Sequence, residues 1–187
     1  MALTYTPAPE LGSPCPPFSL GTVDQKMSSL EDFSDSKVLV VMFICNHCPY
    51  VKAIEDRLLA LAEEYEAKDV GFVAICSNDP SEYPEDEPAQ LFHRWKEKGY
   101  PFPYLIDHTQ EVAKSFGAVC TPDLFAYDQE RKLRYRGRLD DSWRNEALVQ
   151  HQELKMAIDA MLENEKVQDD QIPSMGCSIK WKENHSK

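Results

Sequence analysis

The chain has 187 residues and a formal net charge of -12, from 20 basic and 32 acidic residues. That balance argues against a nucleic-acid-binding surface and against binding to anionic membranes. Hydrophobic content of 42% and charged content of 28% suit a soluble globular protein with a real core.

The first basic residue is Lys26, and no apolar stretch ahead of it resembles a secretory signal. The longest apolar run, Val38 to Cys45, is too short to cross a bilayer. The expectation is a cytoplasmic protein that uses neither membrane nor nucleic acid. Phe18-Ser19-Leu20 predicts a short edge strand, Gly21 to Lys26 a turn, and Ser29 to Phe33 a capped helical turn. Val38 to Ile44 is continuously apolar and rich in β-branched residues, as in a buried strand. Cys45-Asn46-His47-Cys48 follows. After Pro49, Val51, Ile54, Leu58, Leu61 and Tyr65 fall on one helical face, with Lys52, Glu55, Asp56, Glu63 and Glu64 elsewhere.

A second strand is predicted from Val70 to Cys76, then an exposed loop from Asn78 to Pro88 with three prolines and five acidic residues. Ala89 to Lys98 reads as a helix and Tyr104 to Ile106 as a short strand. Gln110 to Phe116 reads as another helix, stopped by Gly117. Asp123 to Tyr127 and Lys132 to Arg138 predict a hairpin, and Glu146 to Leu162 one long helix. Alternating strands and helices ending in a hairpin predict an α/β fold, a mixed central sheet with helices on both faces. Residues 1–162 form the expected domain. Residues 163–187 form a C-terminal extension whose Cys177, Ile179 and Trp181 predict docking onto that domain.

A CxxC where a strand gives way to a helix holds two sulfurs within one turn, close enough to cross-link. It also aims the first sulfur at unpaired N–H groups and the positive end of the helix dipole, which favours a thiolate. Cys45 and Cys48 are therefore the candidate catalytic pair. Six cysteines in a chain this long are not a disulfide scaffold. Cys76 reads as a core residue, Cys15 as incidental, and Cys120 as packing. A closed zinc site needs two further ligands at similar spacing, and no second CxxC or HxxxH is present. No metal and no cofactor is predicted.

The CxxC after a long strand and Thr121-Pro122 before another resemble the thioredoxin-fold redoxin family, over about Leu11 to Leu162. Ser77-Asn78-Asp79, Pro101 to Asp107, Gln110 to Ala113, Val119 to Asp123 and Gly176 to Trp181 are similar to a peroxiredoxin-like subgroup within it. The resemblance implies a thioredoxin-like fold and a cis Pro122 beside the CxxC, leaving the Thr121 backbone open to a substrate strand. It implies Cys45 as nucleophile and Cys48 as the thiol that then attacks Cys45. Asn46, His47, Thr121 and Pro122 are the supporting residues. His47, placed as in the strongly oxidising DsbA-type proteins, is a donor to the Cys45 thiolate. Where thioredoxins have Trp before the pair and Gly-Pro within it, this chain has Ile44 and Asn46-His47, and their buried acid is Leu39 here. The Pro-xxx-Thr/Ser-xx-Cys signature of peroxiredoxins is absent.

The expected function is thiol–disulfide exchange with protein or small-molecule disulfides or dithiols, served by a reductase or thiol donor. Two alternatives remain open. One is a thiol-dependent peroxidase using Cys45 or Cys48, with Arg136 and Arg138 as candidate anion contacts. The other is a copper-binding protein adding His108 or His151 to the thiols. Cys177 is either a resolving thiol on the tail or an anchor beside Ile179 and Trp181.

Overall fold

The computed structural model describes residues 3–182. Its centre is β4 (Val38–Phe43), hydrogen-bonded along one edge to parallel β5 (Val70–Cys76) and along the other to antiparallel β8 (Asp123–Tyr127). β6 (Tyr104–Ile106) and β9 (Leu133–Gly137) complete the order β6-β5-β4-β8-β9. A strand paired on both edges and covered on both faces must be apolar throughout, and all six residues of β4 are buried.

Successive side chains of β4 point to opposite faces. Val38, Val40 and Met42 join one core with α1 (Pro49–Tyr65), Leu91 of α2 (Pro88–Lys98) and the buried residues of α4 (Glu153–Leu162). Leu39, Val41 and Phe43 join the other, where Phe116 of α3 (Glu111–Phe116) packs edge-on against Phe43 at 5.3 Å. The sheet is thus mixed and flanked by helices on both faces. A two-stranded ribbon, β2 (Ser19–Gly21) with β3 (Met27–Ser29), leads into a 3-10 turn at Leu30–Phe33 capped by Ser29. A separate three-stranded sheet orders β1 (Leu3–Tyr5), β10 (Met175–Ser178) and β7 (Cys120–Thr121).

Several expectations are corrected. The long helix predicted from Glu146 is a 3-10 turn at Glu146–Leu148, an extended link, and α4 only from Glu153. The link is extended because its backbone bonds leave the helix: Gln150 N donates to the Asp141 carboxylate and Asp141 N to the His151 carbonyl. Glu55, placed by periodicity on the polar face of α1, is buried and takes a fork from Arg94 and the hydroxyl of Tyr100. The loop of Asn78 to Pro88 is not wholly exposed, since a 3-10 turn at Pro84–Asp86 buries Asp86.

Candidate active site

The CxxC begins where β4 runs out. Ile44 still donates to the Ile75 carbonyl at 3.1 Å, and the next four residues turn the chain into α1. Pro49 takes the first helical position, where its fixed φ and missing N–H cost nothing. Cys48 is therefore the N-cap, and Lys52 N donates to its carbonyl at 3.0 Å. Cys48, not Cys45, sits at the helix start, which corrects the sequence-based placement.

Both sulfurs converge on one residue. The Cys45 sulfur lies 3.2 Å from the Thr121 hydroxyl, and the Cys48 sulfur lies 3.1 Å from the Thr121 carbonyl oxygen. The Thr121–Pro122 peptide is cis. The Cys45 thiol hydrogen-bonds to Cys48 and pushes the Cys48 pKa down to about 5 against the effect of burial. The Val51 N–H and the thiol and N–H of Cys177 add to that lowering. Burial, then the bond to Cys48 and the Asp86 carboxylate, push Cys45 well above the ordinary thiol range. Of the two thiols, Cys48 is the one that ionises first.

His47 is buried in the turn, its Nδ1 3.6 Å from the Cys45 sulfur and 2.5 Å from Asp86 Oδ2. The shorter contact fixes Nδ1–H on the carboxylate and sets the ring's orientation. Tyr83 stacks on the ring at 4.3 Å, and Nε2 is buried with no hydrogen-bond partner among the described residues. Asp86 also accepts from Asn46 N at 2.7 Å, His47 N at 3.1 Å and Asn78 Nδ2 at 2.8 Å. Burial alone would raise its pKa, but these donors, His47 first, hold it below the usual carboxylate value. Asn46 reaches back over the same loop, its Nδ2 donating to the Glu85 and Gln90 carbonyls. Asp86 was missed from sequence because four other acids share its loop and nothing local distinguishes it.

The backbone of Thr121, expected to be open, is paired with β10, and Cys177 lies opposite it in register. Cys177 and Ile179 are buried, whereas Trp181 is 41% exposed. Cys15, Cys76 and Cys120 are buried thiols whose pKa values are raised, chiefly by burial. Arg136 is not a solvent-facing strand residue: it is buried and forks onto Asp123 at 3.2 and 2.8 Å. Arg138 is paired with Glu153. Both guanidinium groups are thus committed to carboxylates.

His108 and His151 are exposed, and neither joins the thiols. Among the described residues, Cys45, His47 and Asp86 bring metal-ligating atoms within 4.8 Å of one another. His47 Nδ1 and Asp86 Oδ2 are hydrogen-bonded to each other at 2.5 Å. A hollow of about 560 Å³ beside α4 and residues 165–172 is lined by no cysteine. A small one of about 40 Å³ adjoins Pro122, bounded by Tyr50, Trp143 and Met175. Among the described residues, no helix is long and apolar enough to cross a membrane.

The family described as Redoxin matches residues 10–152. A crystal structure of an uncharacterized conserved protein from Geobacillus kaustophilus is 48% identical, with 97% of each chain covered and a TM-score of 0.92. A hypothetical protein from Sinorhizobium meliloti is 40% identical, with 96% of this chain and 98% of that one covered, and a TM-score of 0.92. A thiol:disulfide interchange protein of the thioredoxin family from Chlorobium tepidum shares the fold at 18% identity. There the TM-score is 0.62, with 84% of this chain and 98% of that one covered. Comparison with curated proteins gives no match.

Proposed function

We propose that this chain, which belongs to the redoxin family, is a thiol–disulfide oxidoreductase that cycles Cys45 and Cys48 between dithiol and disulfide. The observation that carries the reading is the convergence of both sulfurs on Thr121, at 3.2 and 3.1 Å. Cys45 attacks a substrate disulfide as its proton passes along the hydrogen bond to Cys48. The Thr121 hydroxyl supports the forming charge. Cys48 then attacks Cys45 as its proton passes to the departing sulfur, breaking the mixed disulfide and releasing the substrate as a thiol. Cys45 is the attacking sulfur because the Cys48 side is occupied by β10 and Cys177. Asn46 and Asp86 hold the turn, and the His47 Nδ1–H, bonded to Asp86, tempers that carboxylate's charge beside Cys45.

The substrates are protein or small-molecule disulfides or dithiols, and a reductase or thiol donor resets the pair. The test is to mix Cys48→Ser, and separately Cys45→Ser, with a disulfide-containing peptide and look for a trapped adduct. A stable peptide adduct on Cys45 in Cys48→Ser is expected. Adducts on neither cysteine, or on Cys48 alone, would contradict the assignment.

One observation favours a second reading as a thiol peroxidase. The Thr121 hydroxyl supplies, from a distant strand, the hydroxyl beside Cys45 that the missing peroxiredoxin signature would provide. Peroxide consumption by the pure chain with a thiol donor distinguishes the two readings.

A further inference from the structure

We propose that β10 is an internal substrate strand and that Cys177 takes over the disulfide of the active pair, forming a Cys48–Cys177 bridge; this rests on the exchange reading above. Any strand paired with Thr121 lays a residue beside the two sulfurs that touch Thr121. β10 is that strand, and the residue at that register position is Cys177.

The placement is enforced from several directions. A Cβ on Gly176 would lie 1.9 Å from the Thr121 carbonyl oxygen, so only glycine allows the two backbones to approach this closely. β1 pairs along the opposite edge, with Leu3 opposite Cys177. Upstream, Thr6 N donates to the Ser174 carbonyl at 3.0 Å and the Ser174 hydroxyl to Gly137 at 2.7 Å. Downstream, Ile179 N donates to Val119 at 2.9 Å and Lys180 N to the Asn78 side chain at 2.9 Å. Asn78 also holds Asp86, so one side chain links the tail to the His47 side of the site.

The step is an exchange within one chain. The Cys177 sulfur attacks Cys48 Sγ in the Cys45–Cys48 disulfide. The Cys45–Cys48 bond breaks as the Cys48–Cys177 bond forms, and Cys45 leaves with the electron pair. The proton given up by Cys177 passes to Cys45. No electrons enter or leave, so no outside oxidant is consumed, and Cys45 is returned as a thiol. Burial, then the hydrogen bond to Cys48 and its charge, push the Cys177 pKa up to about 12. The last two causes vanish once Cys48 is in a disulfide, so Cys177 is held as a thiol in the reduced site and eased toward thiolate in the oxidised one.

The experiment oxidises full-length wild type with glutathione disulfide, blocks remaining thiols and maps linked peptides by mass spectrometry. A Cys48–Cys177 bridge with Cys45 blocked as a thiol is expected beside the Cys45–Cys48 bridge from which it is exchanged. Cys45–Cys48 as the sole bridge, with Cys177 still a thiol, overturns the tail step alone. A chain that bridges Cys48 to neither cysteine overturns the exchange reading, and the donor disulfide goes with it. Gly176→Ala should cut the yield of the Cys48–Cys177 bridge by about tenfold or more, since overpacking of this kind displaces backbone. An unchanged yield contradicts the strand's role.

Discussion

On one flank of the dithiol, residues 78–87 wrap His47 with side-chain charge: Asp86 collects four donors and Tyr83 stacks on the ring. On the other flank, β10 lies against Thr121 by backbone pairing, with a glycine at the closest approach and a thiol opposite Thr121. Both flanks leave Cys45 and Cys48 buried, but they hold the pair by different physics. A flank built on a carboxylate should answer to charge substitutions. One built on strand pairing should answer to a single added methyl group.

The largest effect comes from removing what both flanks serve. Cys45→Ser or Cys48→Ser should lower disulfide-exchange turnover by about a thousandfold or more. A loss near tenfold in both, measured by reduction of a disulfide substrate, would mean that other groups carry the chemistry. Next comes the loop flank. Asp86→Ala strands four donors, three of them on Asn46 and His47, and should cost about 3 kcal/mol in denaturant unfolding. Gly176→Ala should cost about 2 kcal/mol, read instead as faster amide exchange confined to β10 and its partners. Equal exchange across β10 in both variants would erase the distinction between the flanks.

A pH profile sharpens the comparison further. The Cys48 pKa is lowered, to about 5, so its thiolate is present above that pH and is lost as pH falls through it. Alkylation of the reduced pair by iodoacetamide should hold a plateau at neutral pH and fall away below about pH 5. A profile still rising through pH 8 would contradict the lowered Cys48 pKa. The smallest effect is His47→Ala, which takes from Asp86 the donor that tempers its charge beside Cys45, worth about 1 kcal/mol. The reduction potential should become more negative by about 20–30 mV, and no change would remove His47 from the thiolate's support.

The parts legible in the sequence were those with a short-range pattern. Val38 to Phe43 could only be a central strand, and Val51 to Tyr65 carried a helical period, so the CxxC was placed at their junction. Asp86 was hidden because burial of one acid among five depends on the loop folding back over Asn46. β10 is four residues long, too short for any period, and its register is set by Thr121 more than fifty residues earlier. Cys177 was visible as a candidate, but its position opposite Thr121 was not. The helical period begins after Pro49, yet the dipole was assigned to Cys45, whereas Pro49 takes the first helical position and makes Cys48 the cap.

The central claim is that Cys45 and Cys48 form a reversible redox pair, and the direct measurement is a glutathione redox titration of the reduced wild-type chain with disulfide mapping at each point. The account predicts a two-electron transition into an intramolecular disulfide, Cys45–Cys48 or its exchange product Cys48–Cys177, that returns to thiols on reduction. Oxidation that leaves only separate glutathione adducts, with no bridge involving Cys45 and Cys48, would contradict it.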